Sequence, residues 1–128
     1  MSPGPRLSLR IDFPDGVRLG PGKVALLEAI GRTRSISAAG RSLDMSYRRA
    51  WLLVDAVNRA FEEPAVVTRP GRRDGGAELT AFGARLVALY RTVERRAAEA
   101  SISALAELAA ARVPVEAGDA ETDVSRAG

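Results

Sequence analysis

Two clusters of arginine carry the recognisable chemistry of this sequence. The first is Ser46-Tyr47-Arg48-Arg49, inside the run S-I-S-A-A-G-R-S-L-D-M-S-Y-R-R-A-W-L-L-V-D-A-V-N-R-A-F from Ser35 to Phe61. The second is Arg69, Arg72 and Arg73, set among Pro70, Gly71, Gly75 and Gly76. A guanidinium is planar, permanently charged and presents a fork of donors, which suits phosphate oxygens and the major-groove edge of guanine. Ser35 and Ser37 add hydroxyl or amide donors at a helix start, where a phosphate can also be held; capping alone accounts for one of them. Eighteen of the 19 basic residues are Arg, with Lys23 the exception. A GC-rich genome gives the same bias, so position carries the argument rather than count.

Composition narrows the classes. At 128 residues and 46% apolar content the chain is long enough for one domain with a real core plus appendages. The net charge is +3, but its distribution is uneven. Residues 97–128 hold six acids and two bases, so residues 1–96 carry +7 and the C-terminal part −4. A basic body suits an anionic partner. With no Cys and no His, disulfides, thiolate chemistry, the usual zinc sites and the commonest general base are all absent. No Ser/His/Asp or Cys/His set can be assembled, and Gly71, Gly75 and Gly76 are not followed by the Lys-Ser/Thr of a P-loop. The expectation is a protein that is not an enzyme, with no metal site and no cofactor. No apolar run approaches the roughly 20 residues of a membrane span, and the start M-S-P-G-P-R-L has no signal-peptide core. A cytoplasmic protein is expected.

The elements that must position the arginines follow from periodicity. Leu7, Leu9, Ile11 and Phe13 alternate with polar residues, which predicts a strand, a turn at Pro14-Asp15-Gly16 and a short return strand at 17–19. Pro21 opens a helix over 22–32, with Val24, Leu27 and Ile30 on one face. Ser35 caps a second helix over 36–43, whose Ala38, Ala39 and Gly40 allow close approach. After the turn at Asp44-Met45, Ser46 caps a helix of about four turns. On a helical wheel Tyr47, Ala50, Trp51, Val54, Val57, Asn58 and Phe61 share the core side, leaving Arg48, Arg49, Leu52, Asp55 and Arg59 outside. Two helices joined by a tight turn, the second opening on exposed arginines, match a helix-turn-helix. Residues 65–69 and 77–79 predict a hairpin with Arg72 and Arg73 at its tip, in the place of a wing that tracks phosphates. Thr80 caps a further helix with Leu86, Leu89, Tyr90 and Val93 on its apolar stripe. Either it runs to Ala111, or a second short helix follows a bend near Ser101–Ser103. The stripe outruns a small domain and is satisfied most simply by a second copy.

The run L-L-E-A-I, S-I-S-A-A, M-S-Y-R-R-A-W-L-L-V-D, N-R-A-F, a glycine-containing wing and L-T-A-F-G with L-V-A-L-Y resembles the N-terminal DNA-binding domain of the ModE family of molybdate-dependent transcriptional regulators. The likeness covers roughly residues 20–96, with a more distant similarity to the winged helix-turn-helix of LysR-type regulators. It implies a winged-helix dimer on a palindromic operator at molybdate-transport or molybdoenzyme genes. It further implies that the region before residue 20 belongs to the fold and that the C-terminal helix aids dimerisation. The turn and the wing depart from the family pattern. Asp44 stands where related motifs often carry Gly, and Asp tolerates a left-handed backbone. The wing has fewer glycines and adds Arg72 and Arg73. Full family members carry C-terminal molybdate-binding modules; this sequence ends in an acidic tail, so no small-molecule effector is evident in it.

The expected fold is therefore mainly α with a small β wing, a winged helix-turn-helix plus a long C-terminal dimerisation helix. The expected domains are a DNA-binding domain over 1–96, a helical extension over 97–112 and a disordered acidic tail over 113–128. Ser35, Ser37, Ser46, Tyr47, Arg48, Arg49, Arg69, Arg72 and Arg73 are the expected contacts to double-stranded DNA. The expected function is a homodimeric regulator; the alternative is an interaction module that heterodimerises with a full-length regulator as a non-sensing modulator.

Overall fold

Residues 4–69 and 76–115 are described in a computed structural model of the chain. The elements run β1 (Ile11–Asp12), β2 (Arg18–Leu19), α1 (Pro21–Thr33), α2 (Ile36–Ser42), α3 (Tyr47–Ala60), β3 (Val66–Thr68), β4 (Ala77–Leu79), α4 (Ala81–Ala100) and α5 (Ile102–Ala110). The described part is thus mainly helical, with two small antiparallel sheets, β1–β2 and β3–β4. Arg72, Arg73 and the tail beyond Val115 lie outside the described residues, as does the predicted disorder of that tail.

Helix starts follow the polar residues that satisfy their free amides. Pro21 occupies the first turn of α1. The hydroxyls of Ser35, Ser46 and Thr80 accept from the amides of Ala38 (3.0 Å), Arg49 (3.1 Å) and Gly83 (2.9 Å). Each such cap is worth about 1 kcal/mol. Between α2 and α3, Asp44 takes a left-handed backbone with φ 58°, and the Met45 amide returns to the Gly40 carbonyl at 2.9 Å. Gly40 is needed where the two helices cross, since a Cβ there would sit 3.1 Å from that of Ala50.

The core gathers around α1, which buries Val24, Leu26, Leu27, Ala29 and Ile30. Ile36 and Ala39 of α2, Ala50, Val54 and Val57 of α3, Ala65, Val66 and Ala77 near the second sheet, and Leu86 and Tyr90 of α4 complete it. Burying each large aliphatic side chain stabilises the fold by about 1.5–3 kcal/mol. Two longer ties hold α4. The Tyr90 hydroxyl donates to the Leu9 carbonyl at 2.6 Å, and burial pushes its phenol above the usual range. Arg91 grips Glu28 of α1 through two bonds of 2.7 and 3.0 Å and reaches Glu94 at 2.8 Å.

Several expectations need correction. The strand over Leu7–Phe13 shrinks to Ile11–Asp12, because its partner offers only Arg18 and Leu19 to pair. The helix after Thr80 is broken at Ser101 (φ −104°, ψ 6°), so α4 keeps residues 97–100 and the extension is the separate α5. Of the two expected courses, one helix to Ala111 or a second short helix after a bend near Ser101–Ser103, the second is what forms. Trp51 and Phe61 pack against the core only partly buried. On α4's stripe Leu86 and Tyr90 are buried, whereas Leu89 and Val93 are 52% and 46% exposed.

Candidate nucleic-acid interface

Tyr47, Arg48 and Arg49, the first three residues of α3, are exposed, and Ala50 turns into the core. The entry of α3 is fixed by Ser46, whose hydroxyl is occupied in capping. Tyr47 lies 50% exposed with its ring edge-on to Trp51, centroids 6.1 Å apart. The pair straddles the edge of the core, with Tyr47 exposed and Trp51 partly buried against it. Arg48 and Arg49 are exposed, and among the described residues neither enters an ion pair. Leu52, 55% exposed, continues the same outer side as an apolar side chain that the sequence reading did not select. Lower down, Arg59 is paired with Asp55 at 2.9 Å, which offsets its charge.

Ser35 and Ser37 have more local duties. Ser35 is 5% exposed, caps α2 and pairs its backbone with Gly76 as an isolated antiparallel bridge. Ser37 is half-buried and its hydroxyl accepts from the Arg41 guanidinium at 2.8 Å. Arg41 is exposed on α2, four residues after Ser37 on the same helix face.

The β3–β4 hairpin sets Val66 against Leu79, Val67 against Glu78 and Thr68 against Ala77. It closes with the Arg69 amide on the Gly76 carbonyl at 2.9 Å. The Arg69 side chain forms an ion pair with Glu78 across the strands, so its charge is partly answered from within. The hairpin is also joined to the helices at both strands. On β4 the Ala77 amide donates to the Arg34 carbonyl at 3.1 Å, which the left-handed Arg34 (φ 59°) aims at it. On β3 the tie is Asn58, in the last turn of α3. Its carboxamide oxygen accepts from the amides of Ala65 (2.8 Å) and Val66 (3.1 Å), and its NH2 donates to the Val66 carbonyl (2.9 Å).

That geometry has a simple origin. The bonds Thr80 to Ala65 and Arg69 to Gly76 mark the hydrogen-bonded pairs of the ladder. Val66 falls between them, so its amide and carbonyl point away from β4. Asn58 meets both. Sequence reasoning placed Asn58 with the core face but gave it no role; only its polar type on an apolar stripe hinted at one.

The structure thus brings Ser46, Tyr47, Arg48 and Arg49 together on one turn and ties Ser35 and Arg69 to the same residue, Gly76. Among the described residues there is no group of three acidic, His or Cys side chains able to hold a metal. No described helix is long and apolar enough to cross a membrane.

No family model matches the chain. Individual proteins do. The molybdenum-pterin-binding protein MopB of Rhodobacter capsulatus is 49% identical over 80 residues, 62% of this chain and 30% of that protein. The molybdenum transport protein ModE of Azotobacter vinelandii is 42% identical over 90 residues, 70% of this chain and 33% of that protein. The chain is similar to ModE regulators. The DNA-binding transcriptional dual regulator ModE of Escherichia coli K12 is 35% identical over 71 residues, 55% of this chain and 27% of that protein. In each case the match takes in a third or less of the relative's length.

Proposed function

We propose that this chain is the DNA-reading part of a ModE-type transcriptional regulator. In this reading α2 and α3 are a helix-turn-helix, α3 enters the major groove with Arg48 and Arg49 foremost, and the β3–β4 hairpin is the wing. The observation that carries it is the exposed, capped first turn of α3 with two arginines unpaired among the described residues. Unlike Arg59 or Arg91, these two form no ion pair among the described residues. The name of the Escherichia coli relative supports the same partner, DNA, and the Mop and ModE names support a link to molybdenum genes. The protein acts in the cytoplasm as a binder, not as an enzyme.

A homodimer is part of the proposal. Phe61 meets Phe13 edge-on and Phe82 at a tilt, centroids 6.1 and 5.8 Å apart. With Leu89 and Val93 they line an apolar groove of about 250 Å3 beside α4. On α5, Ile102 and Leu108 are 65% and 66% exposed. Covering these faces with a second copy would place two α3 helices in successive major grooves, about 34 Å apart.

Light scattering of the purified chain, then mobility shifts on a selected and a random duplex, tests this. A dimer that prefers the selected duplex, with Arg49→Ala erasing preference at one base position, is expected. A monomer that shifts DNA only with a full-length regulator added would favour the heterodimerising module instead. Equal loss on both duplexes for Arg49→Ala would remove α3 from base reading.

A further inference from the structure

Beside the first turns of α3 lies a second basic surface, built by the N-terminal hairpin. Arg10, Arg18 and Lys23 converge with Arg49 on a cleft of about 430 Å3, with Met45 and Leu53 among the side chains that line it. The β1–β2 register sets Asp12 opposite Arg18 and Ile11 opposite Leu19, which brings Arg10 onto Gly20. A Cβ at Gly20 would stand 3.3 Å from the Arg10 Cγ, so the arginine stem lies along that glycine. The Lys23 ammonium is held by the Arg18 carbonyl at 2.8 Å. The Arg10 stem and the Lys23 ammonium are therefore placed by backbone geometry.

The charges do not cancel locally. Asp12 answers Arg10 at 2.8 Å, an exposed pair. Arg18 and Arg49 enter no ion pair among the described residues, and Lys23 is bonded to a neutral carbonyl. Four cations against one carboxylate leave the cleft with a net positive charge. A cleft lined by one sign of charge concentrates its field on an incoming anion.

We propose that this cleft takes a phosphodiester of the DNA backbone flanking the bases that α3 reaches. The inference rests on the DNA-binding reading above and extends its footprint to the hairpin before α1. Two observations favour a backbone phosphate over a free tetrahedral oxyanion, which shares its chemistry. Arg49 belongs both to the cleft and to the exposed turn of α3, so a duplex on that turn delivers its own phosphate here at high effective concentration. The guanidinium-bearing residues Arg10, Arg18 and Arg49 are all exposed, so a small free anion would find no enclosure and would compete with salt.

The test uses Arg18→Gln and Lys23→Gln in the full chain, with Arg112→Gln as a charge control at the far end of α5. Binding to a duplex selected from a random library is measured across salt concentrations, and the fold is checked by circular dichroism. The slope of log K against log salt should fall by about 0.9 for each phosphate contact removed, hence about 1.8 for a dimer. Base preference should stay unchanged, and Arg112→Gln should leave the slope as it was. Trimming the duplex from its outer ends should weaken the wild type until it matches Arg18→Gln. A wild type that binds DNA while both variants keep its slope overturns the cleft assignment alone. A wild type that binds no duplex overturns the DNA-binding reading and this inference with it. Heat from titrated molybdate, sulfate or phosphate that Arg18→Gln abolishes would reassign the cleft to a free oxyanion and likewise overturn it.

Discussion

Replacing Asn58 by Leu removes three hydrogen bonds while keeping a side chain of similar bulk. The bonds are 2.8, 2.9 and 3.1 Å long and end on the backbone of Ala65 and Val66. Those two residues are 0% and 2% exposed, so water cannot easily replace the lost partner. A typical bond contributes about 1 kcal/mol net, and a buried group left unsatisfied costs about 1–3 kcal/mol. Asn58 itself is half-buried, which lets solvent recover part of the loss. The expected cost of Asn58→Leu is about 3 kcal/mol, a large fraction of the roughly 5–15 kcal/mol that holds a domain together. For a domain of this size that corresponds to a fall in Tm of about 12–20 °C. Urea unfolding followed by circular dichroism reads it directly, with the m value unchanged if the transition stays two-state. Asn58→Ala should cost at least as much, since it also loses packing. If Asn58→Leu unfolds within about 0.5 kcal/mol of the wild type, the carboxamide is not what fastens the hairpin to α3, and the reasoning fails.

Three further outcomes are expected. Gly83→Ala should destabilise despite the better helix propensity of Ala, because the new Cβ would fall within 3.0 Å of the Ala65 carbonyl oxygen and 2.7 Å from Leu79 Cδ1. Overpacking of that kind costs about 1–3 kcal/mol, so a higher Tm would show the approach to be looser. Glu28→Gln should lower stability at neutral pH by about 1 kcal/mol, since the pair with Arg91 is only partly buried. The hydrogen bonds from Arg91 hold the Glu28 carboxyl below its ordinary value of 4.5. A depressed carboxyl pKa contributes stability above the unfolded range and loses it as pH falls through the folded value. The gap between wild type and variant should therefore be constant near neutrality and close below about pH 4; a gap that widens in acid contradicts the pairing. Leu89→Glu with Val93→Glu should leave the fold intact, both residues being about half exposed, and should convert a dimer to monomer in light scattering. An unchanged mass would move the proposed interface elsewhere.

The parts legible in the sequence were those governed by local chemistry. Ser46 and Thr80 announced their helices because a hydroxyl before an amphipathic run has little else to do than cap it. Asp44 announced its turn for the same kind of reason, a side chain that tolerates a left-handed backbone. What stayed hidden depended on partners distant in the chain. The alternation over Leu7–Phe13 promised a longer strand, yet strand length is set by the pairing strand. The Leu9 carbonyl instead accepts from Tyr90, 81 residues away. The outward turn of Val66 in its ladder, and so the use of Asn58, depends on register rather than on residue type. Exposure of Leu89 and Val93 could not be read from periodicity, which reports an apolar stripe without saying how much of it the chain itself covers. At the candidate site, the exposure of Arg48 and Arg49 was readable from the wheel, whereas Tyr47, placed there on the core side, is half exposed. The cleft with Arg10, Arg18 and Lys23 was not readable, because it joins α3 to residues more than twenty positions earlier.

The hairpin reaches the helices from two sides. One strand is fastened to the link before α2 through Arg34 and Ser35, the other to the end of α3 through Asn58. The start of one helix and the finish of the next are thus spanned by a single tie bar, and the angle between α2 and α3 cannot open without tearing a strand away. Ordering of this pair is completed when the chain folds. Association should then carry little further conformational entropy cost in the helices, and the heat-capacity change on binding should reflect the surface covered rather than any coupled folding.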